Sequence, residues 1–259
     1  MAEFSGAELV PVAHAETAGE FRLNLDAVLA RIDAARARSG RTDEVRLLSV
    51  SKTVQAERIR YAIEAGALYL GENKVQEAHR KWDELADTTV RWSVIGHLQT
   101  NKAKLVAEFA SEFQALDSLR VAEALDRRLQ ASGRSLDVFV QVNTSGEDSK
   151  FGLEPDAAAD FVRELPSYSS LRVRGLMTLA VFSPDAELVR TCFRRLRELQ
   201  GRLRESAPDG VSLDELSMGM SGDFELAIEE GATVVRVGQA IFGARAKPDS
   251  YYWPEQSSD

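Results

Sequence analysis

Short runs of apolar and β-branched residues recur along the chain at 45–50, 67–71, 91–95, 113–116, 137–142, 172–176, 215–218 and 233–237. Segments of helical period, such as "QAERIRYAIEAGA" and "DAAADFVRELPS", separate them. The runs are nearly continuous in apolar character rather than alternating, which is the pattern of a parallel sheet buried on both faces. Eight strand–helix units are the number that closes a barrel. The pattern therefore predicts an α/β fold, a (β/α)8 TIM-type barrel, preceded by an extra N-terminal helix near residues 18–39. A doubly wound open sheet is the competing architecture, but the Gly-rich turn it needs after its first strand is missing, since "SVSKTVQAERI" contains no glycine. Residues 17–246 read as one barrel domain, flanked by a loosely ordered extension at 1–16 and a Pro- and Ser-containing tail at 247–259.

Length and charge narrow the function. A chain of 259 residues with 44% apolar content can bury one large core. Its 32 Lys and Arg against 41 Asp and Glu leave a net charge of −9, which repels phosphate backbones and speaks against nucleic acid as a partner. The most basic stretch, "RTCFRRLRELQGRLR", spaces Phe193, Leu196, Leu199 and Leu203 as one buried helix face and leaves its arginines in solvent. The single cysteine, Cys192, falls among those core positions, so no disulfide framework and no Cys/His metal site is expected. No run approaches the roughly 18 apolar residues of a membrane span, and the acidic N-terminus does not resemble a signal or transit peptide. The expectation is a cytoplasmic protein, monomeric and without a membrane partner.

A barrel collects its function at the C-terminal ends of its strands, and here those ends are polar. The first delivers Ser51, Lys52 and Thr53, the second "GENKVQE", the third "GHLQTNK" and the fifth "QVNTSGEDSKFG". Lys52 has two readings on its own residues. It either carries its ammonium to water at a strand end, or it is a lysine whose surroundings leave enough neutral amine to form a Schiff base with a carbonyl. The last two loops favour the second. In "SMGMSGDFELAIEEG", Ser217, Gly219, Ser221 and Gly222 precede a helix beginning near Asp223, and a Gly- and Ser-rich helix start offers backbone N–H groups to an anion. "RVGQAIFG" puts Gly238 at a strand end, where the absent side chain lets a ligand approach the backbone. A reactive lysine on the first strand and a phosphate cradle on the last two describe a site for an aldehyde that carries a phosphate, and pyridoxal 5′-phosphate (PLP) is the cofactor of that chemistry.

The motifs "SVSKT", "GENKVQEA", "GHLQTNKAK", "QVNTSGEDSKFG", "GLMTL", "LSMGMSGDFELAI" and "VRVGQAIFG" resemble, in order, those of the pyridoxal phosphate homeostasis protein family, the barrel-only relatives of alanine racemase. The resemblance implies that Lys52 holds PLP as an internal aldimine and that Ser217, with Met218 beside it, Ser221, Gly238 and Gln239 surround the phosphate. It also implies that Arg236 faces the pyridine nitrogen, where a permanent cation disfavours protonation and weakens the ring as an electron sink. Asn73 and Met177 would line the ring pocket, the alternatives being a turn residue and barrel core.

Catalysis is the open question. Racemisation needs a proton donor on each face of the substrate, and Lys52 is the one evident donor. Alanine racemase takes its second from a tyrosine in a further domain, whereas Tyr251 and Tyr252 of this chain lie in the tail. Of the three histidines, His14 falls in the extension and His79 on an exposed-looking helix, while His97, at a strand end, is expected to orient its loop by a hydrogen bond, the alternative being a proton shuttle. The expected function is PLP binding and homeostasis, by buffering or by delivery to apo PLP-dependent enzymes. The alternatives are a weak PLP-dependent amino-acid racemase or lyase, a cofactor-free Schiff-base aldolase, and a scaffold.

Overall fold

The computed structural model describes residues 12–147 and 149–243, and these carry eight parallel strands that follow one another around a closed ring. The strands are β1 (Arg46–Val50), β2 (Tyr69–Glu72), β3 (Arg91–Val94), β4 (Glu112–Leu116), β5 (Leu136–Gln141), β6 (Leu171–Met177), β7 (Glu215–Met220) and β8 (Val234–Val237). Each falls within two residues of its expected span, the largest offsets being 67 against Tyr69 and 218 against Met220. The helices are α1 (Ala18–Arg38), α2 (Ala56–Glu64), α3 (Val75–Glu84), α4 (Ala103–Phe109), α5 (Leu119–Ser132), α6 (Ala158–Glu164), α7 (Ala186–Glu205), α8 (Phe224–Glu229) and the single turn α9 (Gln239–Phe242).

The extra helix α1 starts on a capping box: the Thr17 hydroxyl accepts the Glu20 N–H (3.3 Å), and the Glu20 carboxylate accepts the Thr17 N–H (3.0 Å). It packs Phe21, Leu25, Val28 and Ile32 inward and lies against α2, α8 and α9. Residues 12–15, expected to be loose, are docked. Asn24 on α1 accepts from the Val12 N–H (2.7 Å) and donates to the Val12 and Ile241 carbonyls, and Ala15 is fully buried. The anticipated face of α7 is buried at Phe193, Leu196, Leu199 and Leu203, and its outward arginines pair with acids, Arg190 and Arg194 with Glu230 among them. His79 differs from expectation. It is half-buried against the rings of Trp82 and Phe109, at 5.3 and 5.8 Å between centroids, because α3 packs this face onto α4. The tail from 247 onward, with Tyr251 and Tyr252, lies outside the described residues.

Strand alternation divides the side chains into a lumen set and a helix-facing set. The lumen set is unusually polar for a barrel whose interior is normally filled by branched apolar residues. Glu112 on β4 accepts from Arg46 on β1 (2.7 Å), Ser93 on β3 (2.8 Å) and Gln114 two residues on (2.6 Å). Above that layer, Ser217 on β7 donates across the lumen to Gln114 (2.7 Å) and accepts from Arg236 on β8 (2.7 Å). A continuous hydrogen-bonded column therefore runs from the barrel floor to just beneath its C-terminal mouth.

Candidate functional site

Register places the first-strand lysine beside the last strand. β1 pairs with β8 at Leu48↔Arg236 and Ser49↔Val237, and with β2 at Val50↔Gly71. Arg46, Leu48 and Val50 thus share the lumen side, and Lys52, half-buried, stands in the turn two residues past the end of β1. The intervening Ser51 belongs to the opposite, helix-facing side. Its hydroxyl donates to Glu72 (2.6 Å), a fully buried carboxyl that also binds the ammonium of Lys81 on α3 (2.8 Å). Burial pushes the Glu72 carboxyl up, against the pull of Lys81 and Ser51 in the other direction. Thr53, on the far side of Lys52, has φ +68°, a left-handed conformation that β-branched residues rarely adopt, and its N–H is held by Glu77 (3.0 Å).

The mouth side of β7 and β8 carries the small polar residues. Ser221 follows β7, and its hydroxyl accepts the Gly238 N–H (3.2 Å), so the two loops touch. A side chain at Gly238 would put Cβ 2.9 Å from the Val50 carbonyl, which fixes glycine there and keeps the β8 end against β1. Gln239 is exposed, and it opens the turn α9, whose first N–H groups have no acceptor within the helix. Gly222 faces open space. Asp223 closes this loop: its carboxylate accepts the Met220 N–H, and burial raises it while Met220 and the charge of Arg236 pull it back down.

Arg236 lies in the lumen below these loops, 3% exposed, donating to Ser217 and to the Thr178 carbonyl (2.7 Å each). Burial lowers it to about 10, with the charge of Asp223 resisting, so it remains cationic at neutral pH. The hydroxyl of Ser217 is thus committed to Arg236 and Gln114. Met218, the next residue, is fully buried. Met177 is in register with Ser217 and shares its lumen side at the end of β6. Asn73 is half-buried just past β2, and its carbonyl approaches Gly96 so closely that a Cβ there would lie 2.4 Å away. His97 stacks on Phe151 (4.3 Å between centroids) with Nδ1 3.8 Å from Asp117, so the loop after β5 meets the ends of β3 and β4 at this ring.

Sequence reasoning did not single out Gln114, Thr178, Glu72, Lys81 or Asp223. Gln114 had a signal, a lone amide in the otherwise apolar "FQAL", and Asp223 had one as the residue before a predicted helix. The roles of Glu72 and Lys81 follow only from the packing of α3 behind β1 and β2. Among the described residues, no cluster of three or more His, Cys, Asp or Glu could hold a metal ion, and no helix is long and apolar enough to cross a membrane.

The model of the alanine racemase N-terminal domain matches residues 23–246. A pyridoxal phosphate homeostasis protein of Aquifex aeolicus is 40% identical over 222 residues, covering 85% of this chain and 96% of the relative. The chain belongs to the pyridoxal phosphate homeostasis protein family. The Escherichia coli K12 protein of that name is 43% identical over 229 residues, spanning 86% of this chain and 95% of its own. The solved structure of PipY from Synechococcus elongatus PCC7942, with PLP bound, superposes with a TM-score of 0.71 at 38% identity, covering 83% of this chain and 100% of PipY. The family read from seven short motifs therefore extends over the whole barrel.

Proposed function

We propose that this protein binds PLP at the barrel mouth, attaches it covalently through Lys52, and serves cytoplasmic PLP homeostasis by buffering it or passing it to apo PLP-dependent enzymes. The observation that carries the reading is the β8–β1–β2 register, which supports it by holding the end of β1, two residues before Lys52, against the end of β8, where the Gly238 N–H meets Ser221. When bound, PLP supplies an aldehyde that condenses with a primary amine, together with a phosphate that needs donors. The donor set fits: a primary amine at the β1 end, a hydroxyl and glycine-flanked N–H groups at the β7 and β8 ends, and a buried guanidinium beneath. The relatives' names and the PLP-bound PipY support the same cofactor.

In this reading Ser221, Gly238 and Gln239 hold the phosphate, with the backbone of Met218 near them. Ser217 acts one step back, fixing Arg236. A guanidinium has only donors, so Arg236 disfavours a proton on the ring nitrogen it faces and makes the site a weak electron sink. Asn73 and Met177 border the ring. The protein is then a binder rather than a catalyst, as the homeostasis names of its relatives suggest, and it acts as a monomer.

Purified protein loaded with PLP is expected to be yellow and to lose its visible band on borohydride reduction, with the mass adduct on Lys52. Lys52→Ala is expected to lose that band, and wild-type holoprotein to reactivate an apo PLP enzyme. A colourless wild type, or an unchanged band in Lys52→Ala, would overturn the attachment. Exchange of an amino acid's α-deuterium, abolished by Lys52→Ala, would overturn the non-catalytic reading.

A further inference from the structure

Both neighbours of Lys52 are tied to one buried ammonium. Lys81, on α3 and 1% exposed, uses its three N–H donors on the Ser51 carbonyl (2.9 Å), Glu72 Oε1 (2.8 Å) and Glu77 Oε1 (2.7 Å). Every one of these partners leads back to the same turn. Ser51 is gripped at its carbonyl by Lys81 and at its hydroxyl by Glu72, and the Thr53 N–H is gripped by Glu77. Glu77 is drawn below the usual carboxylate range although burial opposes it, because the Lys81 ammonium and the Thr53 N–H both favour its charge.

A buried ion cluster is a poor device for stability alone, since well-packed apolar residues serve as well or better. This one is aimed at a backbone that needs holding. Thr53 keeps φ +68° only because its surroundings determine it, and the cluster grips the turn from the helix side, opposite the mouth.

We propose that Lys81 is a positioning residue for Lys52: with Glu72 and Glu77 it locks the Ser51–Thr53 turn in the strained form that presents the Lys52 amine to an incoming aldehyde. The inference rests on the reading of Lys52 as the point of covalent attachment. In that condensation the neutral Lys52 nitrogen bonds to the aldehyde carbon, the oxygen leaves as water with both amine hydrogens, and a C=N bond remains. No oxidant or reductant is needed. Lys81 takes no part in the bond making, because its nitrogen is buried and fully hydrogen-bonded.

The test compares two ligands on full-length Lys81→Met. PLP, read by its visible band and by the borohydride-reduced mass adduct on Lys52, reports attachment. 4′-Deoxypyridoxine 5′-phosphate, which lacks the aldehyde, reports the non-covalent pocket by calorimetry. Displacing a reacting group by about 1 Å is enough for large losses, so adduct formation is expected to fall about tenfold or more while affinity for the deoxy ligand stays within about threefold. Adding Thr53→Gly, which removes the objection to a left-handed turn, is expected to restore much of the lost adduct. Adduct formation equal to wild type would overturn the proposal, as would parallel losses for both ligands or no rescue by glycine.

Where Lys81→Met does not fold, because Glu72 is left buried and unpaired, Glu77→Ala keeps the Lys81–Glu72 pair and releases Thr53. The same split between the ligands is expected, at about tenfold for the adduct, the size of a single lost hydrogen bond to a charged group; no split overturns the proposal. A wild type that forms no reducible adduct on Lys52 refutes the attachment reading itself, and it does so before any residue is changed.

Discussion

Gly238 shows how much of the site one absent side chain decides. A Cβ at this position would stand 2.9 Å from the Val50 carbonyl oxygen and 3.3 Å from the Val50 Cβ, and the first of these is backbone that cannot swing aside. Gly238→Ala must therefore part β8 from β1 two residues before Lys52. Overpacking of this kind costs about 1–3 kcal/mol, to be read as a lower urea midpoint with unchanged slope, and PLP affinity is expected to fall with it. An alanine variant with wild-type stability and affinity would show that the strand ends separate freely. The need for glycine at Gly238 was legible in the sequence because an absent side chain acts at its own position, and the Lys52 proposal could be framed there for the same reason, a primary amine at a strand end. Ser217 was not legible in the same way. Its hydroxyl accepts from Arg236 and donates to Gln114, which lies on a strand three places around the ring, so its part is set by tertiary neighbours.

At the scale of elements, the eight strands could be read because burial on both faces keeps each a short, mainly apolar run, even where a polar residue interrupts it, as Arg172 and Arg174 do in β6 and Arg236 in β8. The irregularity in β7–β8 pairing between Ser217 and Met220 coincides with Gly219, whose φ is +93°, but a glycine in the sequence does not by itself distinguish a bulge from a turn. The docking of residues 12–15 left no mark in the pattern, since it depends on Asn24 of α1. Charge now joins elements the pattern only separated. Glu229, at the end of α8, binds Arg190 of α7 and Arg38 of α1 (2.8 Å to the latter). The Arg190 hydrogen bond, with that of Arg38, holds its carboxyl below the ordinary 4.5 despite some burial. A folded-state pKa below the unfolded one stabilises the fold at pH values above the unfolded pKa, and that contribution disappears as pH falls through the folded pKa. Glu229→Gln is accordingly expected to cost about 0.5–1 kcal/mol near pH 7, a value discounted for the partial exposure of the pair. The gap between variant and wild type should be the same at pH 7 and pH 6 and close below pH 4.5, in thermal melts. A gap that persists undiminished in acid would mean that packing, not charge, joins α1, α7 and α8.

For the molecule as a whole, the polar column in the lumen connects the floor to the mouth. Arg46, Glu112, Gln114, Ser217 and Arg236 alternate donor and acceptor across β1, β4, β7 and β8, so each member satisfies a neighbour, and all but Arg46 are buried. Removing one leaves another buried and unpaired, at about 1–3 kcal/mol. Ser217→Ala strands the Gln114 carbonyl and an Arg236 N–H, while Gln114→Leu strands the Ser217 hydroxyl and one acceptor site on Glu112. Made together, the two substitutions delete both ends of the Ser217–Gln114 bond, and no orphan of that bond remains. The double variant is therefore expected to be more stable than the sum of the single losses predicts, by about 1 kcal/mol in urea unfolding at 25 °C. The orientation of Arg236 follows Ser217, so Ser217→Ala should also shift the visible band of bound PLP, whereas Gln114→Leu, one bond further away, should shift it less. Strict additivity together with an unmoved band would make the column a set of independent pairs, and Arg236 would then owe its position to the Thr178 carbonyl and the barrel wall alone.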